Sequence, residues 1–267
     1  MAVSVSVLAS GSRGNCALVA SSATRILVDA GLSGRETCKR LHGLGERIDQ
    51  ISAILITHEH SDHVSGLQRL ATKFKIPVFI TEGTHHAWNR AMRDDEGKVP
   101  QLPKVEHFAA GRRFRIGDIE VSPFTIPHDA ADPVGFTFLA DGVKIGFATD
   151  LGYMPVSVRN HLSGSTVLVM ESNHDVEMLR TGPYPWSVKQ RVMSRVGHLS
   201  NDSLAEFITS DYDGSAEYLV LAHLSEQNNH PELARVSAEQ ALRGRQGLWT
   251  NRLLLATQSE AMVPIRL

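Results

Sequence analysis

The sequence is poor in cysteine and has no long apolar run. Of its 267 residues only two are cysteines, Cys16 and Cys38. They have neither the number that a disulfide framework needs nor the paired spacing of a thiolate zinc site. No stretch of roughly 18 apolar residues occurs, so no transmembrane helix is predicted. Residues 1–15 lack a basic region and alternate serine with apolar residues, as a strand does, so we expect a cytoplasmic protein without a signal peptide.

A large excess of charge of one sign is also missing. The formal net charge is −2, unlike that of the strongly basic proteins that coat nucleic acid regardless of sequence. Any contact with nucleic acid must therefore be local. The sequence shows no internal repeat and no low-complexity linker, and its 42% hydrophobic residues suffice for a sizeable core. We expect one domain over residues 1–267.

Strand-like runs occur in two groups, one before residue 100 and one after, with helix-like segments between them. In the second group, two hairpins are predicted, one around a Gly-Asp turn and one around Asp141-Gly142. Helices are expected over residues 33–47, 64–74, 84–95, 186–196 and 201–208, and from Pro231 onward. The grouping indicates an α/β or α+β protein with two layered halves, and it leaves a sandwich open.

Four side chains of the metal-binding type follow an apolar strand in the segment THEHSDHVSG. His58 and His60 are two residues apart, so in extended backbone both point the same way and can bind one ion. Asp62 and His63, where the chain turns helical, can bind a second. Imidazole and carboxylate suit zinc, manganese or iron. A helical zinc-protease motif does not fit because residue 62 is Asp, and the density of ligands disfavours a plain histidine-rich loop.

Three further residues of this type end later strands: His128, Asp150 and His223. Each alone is more often a hydrogen-bonded structural residue than a ligand. Two ions, however, need more ligands than one segment supplies. The set and its order along the chain therefore carry the prediction.

At this point the sequence resembles the metallo-β-lactamase superfamily, and Asp29 in RILVDAG matches the early aspartate of that family. The resemblance spans residues 3 to about 225 and implies an α+β, four-layer αββα sandwich with two mixed sheets flanked by helices. It also implies two divalent metal ions, zinc or manganese with iron left open, which activate water and stabilise charge. By position, the first ion is held by His58, His60 and His128, the second by Asp62, His63 and His223, and Asp150 bridges them.

Four shorter motifs resemble one branch of the superfamily, the YycJ/WalJ type, which is similar to ribonuclease Z. They are SGSRGN at 10–15, ESNHD at 171–175, GHLSN at 197–201 and LAHLSEQNN at 221–229. The resemblance implies a DNA exonuclease acting on double-stranded DNA, with a 5′-to-3′ polarity and a role in DNA repair. Residues 170–173 replace the His-Glu-Ala-Thr element of ribonuclease Z, which argues against tRNA processing. A small-molecule metallohydrolase for a lactone, thioester or cyclic nucleotide is the alternative.

The same motifs contain the remaining candidate site residues. The predicted catalytic set is Asp62, Asp150, His198 and His174, and the predicted phosphate contacts are Ser10, Ser12, Asn15, Asn173, Ser200 and Asn201. Glycine-rich turns and helix N-termini bind anions. A plain β-turn, ordinary helix capping and structural hydrogen bonds of the two histidines are the respective alternatives. The basic residues flanking these motifs, Arg180, Lys189, Arg191 and Arg195, suit either a phosphate track or a solvated helix face.

The expected partner is nucleic acid, with double-stranded DNA first and no membrane. The sequence shows no interface signature, and a homodimer is left open. A metal-binding module without catalysis is disfavoured, because every ligand position of the family is filled.

Overall fold

The structure is a computed structural model that describes residues 3–245 and 251–267. Two seven-stranded sheets form its centre, and each is mixed. Alternating strand residues supply three apolar clusters. Val167 and Val169, for example, enter the cluster between the sheets, whereas Leu168 and Met170 enter a cluster on the opposite face. Because both sheets are apolar on both faces, helices must cover the outer faces.

The first sheet has the strand order β14-β1-β2-β3-β4-β5-β6. The strands β3 to β6 are parallel, and the others pair antiparallel. Its strands are β1 Ser4–Ala9, β2 Cys16–Ala20, β3 Arg25–Val28, β4 Ala53–Leu55, β5 Val78–Thr81, β6 Val105–Phe108 and β14 Ile265–Arg266.

The second sheet has the order β13-β12-β11-β10-β9-β8-β7. The strands β10 to β13 are parallel, and β7 to β10 form an antiparallel meander. Its strands are β7 Phe114–Ile116, β8 Ile119–Thr125, β9 Val134–Ala140, β10 Val143–Ala148, β11 Val167–Glu171, β12 Tyr218–Ala222 and β13 Arg252–Leu255.

Nine helices lie in the described part of the chain, besides a 3-10 turn at Ile48–Gln50. Helices α1, α3 and α4 cover the first sheet and α5, α8 and α9 the second, as the outer apolar clusters show. The helices are α1 Gly34–Gly43, α2 Ser61–Val64, α3 Leu67–Phe74, α4 Glu82–Ala91, α5 Val156–Leu162, α6 Val176–Thr181, α7 Trp186–Val192, α8 Asn201–Ser210 and α9 Pro231–Arg243. None of these described helices has the length and apolar character that a bilayer span requires.

The predicted αββα sandwich with two mixed sheets is confirmed, and the two strand groups correspond to the two sheets. Several details differ from the prediction. The predicted helix over 64–74 is split into α2 and α3, and the helix over 186–196 already ends at residue 192. Five short elements carry too little periodicity to be predicted, namely β6, β13, β14, α5 and α6. The strand β14 matters most, because it returns to the first sheet and pairs with β1.

Candidate metal centre

The site lies where the parallel strands of both sheets end, the edge at which α/β proteins usually bind ligands. Asp29 follows β3, Asp150 follows β10 and His223 follows β12. All three have left-handed backbone, with φ of 61°, 59° and 55°. This conformation costs a residue with a Cβ on the order of 1–3 kcal/mol, and such strain concentrates at functional sites. These sharp turns bring the three side chains together at the sheet edge.

One cluster consists of three histidines, His58, His60 and His128, whose ligand atoms lie within 4.8 Å of one another. His60 Nδ1 and His128 Nε2 are 3.2 Å apart. In the rings of His58 and His128, the nitrogen that points away from the cluster contacts the protein. His58 Nδ1 lies 3.0 Å from Thr57 Oγ1, and His128 Nδ1 donates to the Gly197 carbonyl at 3.1 Å. The ring orientations are therefore set from outside the cluster.

A second cluster consists of Asp62, His63 and His223. Here buried carboxylates hold the rings: His63 Nδ1 donates to Asp29 Oδ2 at 2.8 Å, and His223 Nδ1 donates to a glutamate described below. The Asn15 amide donates to Asp62 Oδ2 at 3.1 Å. The loop that supplies Asn15 is itself fixed by Gln258, whose amide donates to the Gly14 carbonyl at 2.9 Å and whose Oε1 accepts the Arg13 N–H at 2.8 Å.

Asp150 lies between the two clusters. One of its oxygens, Oδ2, is 3.4 Å from His63 Nε2, and the other, Oδ1, is 3.9 Å from His128 Nε2. The side chain therefore reaches both sets of ligand atoms. Its position matches that of a bridging carboxylate.

The residues present fit a metal centre. His58 Nε2, Asp150 Oδ2 and His223 Nε2 are buried and have no hydrogen-bond partner among the described residues. Buried polar atoms are nearly always satisfied, so three unsatisfied ones at one site are consistent with a bound ion there. All three are imidazole or carboxylate atoms, which bind first-row divalent ions.

A family comparison agrees with this geometry. Residues 24–224 match the family described as a β-lactamase superfamily domain. The chain belongs to the metallo-β-lactamase superfamily. Two curated relatives cover most of it: the exodeoxyribonuclease YycJ of Bacillus anthracis is 43% identical, over 91% of this chain and 90% of the relative. The exodeoxyribonuclease WalJ of Streptococcus pneumoniae serotype 2 is 38% identical, over 87% of this chain and 85% of the relative.

Among solved structures, the short form of human tRNase Z matches with a TM-score of 0.65 at 18% identity, over 98% of this chain and 100% of that one. At this identity the match supports the fold alone. The predicted membership of this superfamily, in the branch of the YycJ and WalJ relatives, is confirmed. The prediction of a metal-dependent hydrolase is confirmed as well.

The two clusters of this metallo-β-lactamase site differ in their electrostatics when no metal is bound. Burial lowers the pKa of His58 well below its usual value, and neighbouring histidines add to the effect. Burial opposes the charged form of His63 and of His223 too, but Asp150 and the other nearby carboxylates outweigh it and raise both pKa values well above normal. Likewise, burial would raise the pKa of Asp62, and His63 and His223 hold it below its usual range. Burial thus disfavours a charged ring at His58, whereas the carboxylates around His63 and His223 favour the protonated form of both rings.

Glu171 is the main residue of the site that the sequence analysis did not predict. It is fully buried, and its Oε1 accepts from His198 Nδ1 at 2.8 Å and from His223 Nδ1 at 2.9 Å. Its Oε2 accepts the N–H groups of Leu151 and Leu199. One carboxylate therefore orients a predicted ligand and a predicted catalytic histidine. The available signal was its place at the end of β11, like that of His223 at the end of β12.

The predicted site residues divide into those that line the cleft and those behind it. The cleft has a volume of about 350 Å³, and the predicted residues lining it are Ser12, His60, Asp62, Asp150, Asn173, His198 and His223. The buried metal-ligand candidates His58, His63 and His128 lie beneath them. Tyr184 and Arg191 also line the cleft.

Five predicted phosphate contacts are buried, and their side chains bond within the protein. One of them, Asn173, lines the cleft, and its amide donates to the His223 carbonyl at 2.8 Å. Ser10 Oγ accepts the N–H of His223 at 2.7 Å, and Asn15 holds Asp62. Ser200 Oγ caps α8 by accepting the Ser203 N–H at 3.1 Å, and Asn201 bonds with Ser172 and Asn229. These contacts match the alternatives of a structural turn and a helix cap, and the phosphate role of these residues stays a prediction.

His174 is placed away from the cleft opening. It is buried, and burial lowers its pKa to about 4, so the ring is neutral near neutral pH. Its backbone forms an isolated bridge with Ser200. A neutral ring without access to the cleft is a poor proton donor, and the catalytic role of His174 stays a prediction.

Proposed function

We propose that this protein is a two-metal phosphodiesterase that removes nucleotides from the ends of double-stranded DNA. The observation that carries the proposal is His198 at the cleft, oriented by a buried carboxylate beside the metal-ligand clusters. Cleavage of a phosphodiester releases an alkoxide, which needs a proton donor within reach. The two exodeoxyribonucleases that resemble this chain over most of their lengths support the same substrate class.

Two divalent ions, zinc or manganese with iron as a further candidate, suit the donor atoms. We assign His58, His60 and His128 to the first ion, Asp62, His63 and His223 to the second, and Asp150 to both. When bound, such a pair lowers the pKa of water and stabilises charge on phosphate oxygens. Asp62 and Asp150 supply the negative charge that keeps both ions in the site.

The chain's own residues then orient the substrate and move the proton. Glu171 accepts from Nδ1 of His198, which leaves Nε2 as the atom that can carry a proton into the cleft. Ser12 and Asn173 line the same cleft, and we propose them as phosphate contacts. Ser10, Asn15, Ser200 and Asn201 lie behind them and keep the loops in place.

The test is hydrolysis of duplex DNA and RNA, labelled at either the 5′ or the 3′ end, by metal-stripped protein reloaded with manganese or with zinc. We expect stepwise release of mononucleotides from DNA and none with the Asp150→Ala variant. The label that is lost first gives the polarity, which is predicted as 5′-to-3′. A role in DNA repair, a cytoplasmic location, a single domain over residues 1–267 and a homodimer stay predictions.

Two results would contradict the proposal. Unchanged metal content and turnover in His60→Ala would show that the site is assigned wrongly. No cleavage of either polymer, together with turnover of a lactone, a thioester or a cyclic nucleotide, would establish the small-molecule alternative.

A further inference from the structure

The cleft contains a positive charge that the proposed function leaves without a role. Of the described residues that line the cleft, Arg191 is the only lysine or arginine. Asp62 and Asp150 line the same cleft. A guanidinium stays charged at any physiological pH, so Arg191 is a permanent cation beside the metal-ligand clusters.

The position of Arg191 is fixed by the backbone around it. Its carbonyl lies so close to Gly197 that a Cβ on Gly197 would be 2.3 Å away, and the Val192 carbonyl would be 2.1 Å away. Only glycine permits this approach. The Gly197 carbonyl in turn accepts from His128 Nδ1. The end of α7 is therefore connected to the predicted metal ligand His128 through Gly197.

The side chain of Arg191 is oriented by Asp129, the residue after His128. Arg191 Nε donates to Asp129 Oδ2 at 2.5 Å. The other oxygen of Asp129 is buried and lies 3.5 Å from His128 Nε2 and 3.8 Å from His60 Nε2. Asp129 therefore ties the guanidinium to the edge of the first cluster.

This arrangement leaves the two terminal nitrogens of the guanidinium free to bind a ligand. Within residues 3–245 and 251–267, the two terminal nitrogens of Arg191 have no hydrogen-bond acceptor, and the side chain is 61% exposed. The two terminal nitrogens form a planar fork that matches two oxygens of a phosphate group. Asp129 uses only the inner nitrogen.

We propose that Arg191 binds a phosphate group of the substrate through its two terminal nitrogens, and that Asp129 is the positioning residue that aims them. The inference rests on the proposed function, because it takes the substrate to be a phosphodiester chain. It differs from a general attraction of basic residues to DNA, since one oriented fork at the cleft makes the contact. Arg180 provides the matched control: it is 62% exposed, pairs with Glu177 and does not line the cleft.

The first test measures binding of the metal-loaded protein to a short DNA duplex with phosphorothioate ends, at several salt concentrations. Each phosphate neutralised by a cation adds about 0.9 to the slope of log K against log salt. We expect Arg191→Gln to reduce the slope by about 0.9 and to weaken binding roughly 10- to 100-fold. Arg180→Gln should bind like the wild type. Equal slopes and affinities for the two variants would overturn the inference.

The second test separates the fork from the charge. Arg191→Lys keeps a cation but cannot form two parallel hydrogen bonds, so we expect a slope near that of the wild type and a raised KM. Asp129→Asn should raise KM in the same direction, with kcat less affected. Metal content is measured in every variant. A loss of metal from Arg191→Gln that accounts for its weaker binding would also overturn the inference.

Failure of the proposed function gives a different result. In that case the wild-type protein neither binds nor cleaves the duplex, whatever the variants do. The inference is then judged on the small diester bis(4-nitrophenyl) phosphate, for which Arg191→Gln should have a KM at least ~10-fold higher than the wild type. An unchanged KM on that diester would overturn it.

Discussion

The two ends of strand β10 carry the same residue in the same backbone conformation for different purposes. Asp141 precedes the strand with φ 48°, and Asp150 follows it with φ 59°. Asp141 is exposed and forms a hairpin turn with Gly142, a pair that favours this geometry. Asp150 is 2% exposed and keeps an oxygen without a partner among the described residues. The same local strain serves chain reversal at one end and ligand placement at the other.

The contrast extends to the two edges of the sandwich. At the edge opposite the site, two aspartates are satisfied by hydroxyl groups of neighbouring turns: Asp118 accepts from Ser21 Oγ at 2.6 Å, and Asp213 accepts from Ser163 Oγ at 2.6 Å. At the site edge, the ligand-type atoms His58 Nε2, Asp150 Oδ2 and His223 Nε2 are buried without a hydrogen-bond partner among the described residues. We infer that one edge contributes stability and the other contributes function, in line with the usual trade-off between them.

The largest expected effect on metal content and activity comes from replacing aspartate by asparagine at the site end of β10, with the same substitution at its other end as the control. Asp150→Asn removes the charge shared by both clusters, so we expect bound metal to fall and DNA hydrolysis to drop on the order of 10³-fold or more. Asp141→Asn should change neither, because Asn suits the turn equally well. Metal analysis and the end-labelled assay measure both effects. Equal activities of the two variants would remove the functional contrast.

A smaller effect is expected from Glu171→Gln. The amide keeps the size of the side chain but no longer accepts from both His198 and His223 as a carboxylate does. Outer carboxylates of this kind are worth roughly 10- to 100-fold in metal affinity or activity. Metal titration and kcat, measured on the same preparation, should both fall. A change in neither would show that Glu171 serves only to bond the backbone of Leu151 and Leu199.

Metal removal should affect stability only through the site edge. Metal at about 100 times its Kd stabilises a folded site by about 2.7 kcal/mol. We therefore expect thermal unfolding of the wild type and of Asp141→Asn to shift upward when metal is added to the stripped protein, and that of Asp150→Asn to shift much less. An identical shift in all three proteins would place the stabilising ion elsewhere.

The smallest effect concerns acid stability at the opposite edge. Burial raises the pKa of Asp213, but hydrogen bonds from Ser163 and Ser215 outweigh it and lower the pKa to about 2. Since the folded pKa is below the unfolded value near 3.9, the carboxylate stabilises the fold above about pH 4 and loses this effect as the pH falls toward 2. Asp213→Asn should be less stable than the wild type near neutral pH, by well under about 1 kcal/mol because the residue is exposed.

Urea unfolding at several pH values measures this difference. The gap between Asp213→Asn and the wild type should narrow below pH 4. A gap that is constant from neutral pH to about pH 3 would contradict the assignment.

The site residues that could be predicted from the sequence are those that lie close together along the chain. His58, His60, Asp62 and His63 lie within one short segment after a strand, so their spacing alone predicts a common direction. The structure brings them together with Asp150. Strands with a clear apolar pattern were predicted for the same reason, whereas short ones such as β14 give too few residues to show a period.

Residues that act through distant contacts could not be placed in this way. Glu171 bonds side chains that are 27 and 52 positions away, and Asp129 pairs with Arg191 62 positions away. Glu171 is marked only by its place at the end of β11, and no local pattern marks Asp129. The phosphate role predicted for Ser200 stays a prediction, because a serine at a helix start can also cap the helix, and the Ser200 hydroxyl does so here.

The hydrogen bonds that Gln258 forms with the loop at residues 10–15 have a consequence for the order of folding during synthesis. A ribosome releases the amino-terminal strands first, so this loop leaves it long before residue 258 does. The free edge of β1 likewise stays unpaired until β14 has been synthesised. The early half of the chain can form its own sheet contacts, but the loop beside Asp62 gains its last hydrogen bonds only when the late residues arrive. A chain synthesised only as far as residue 257 therefore contains all the predicted metal ligands but lacks the hydrogen bonds of Gln258 and the pairing of β14 with β1.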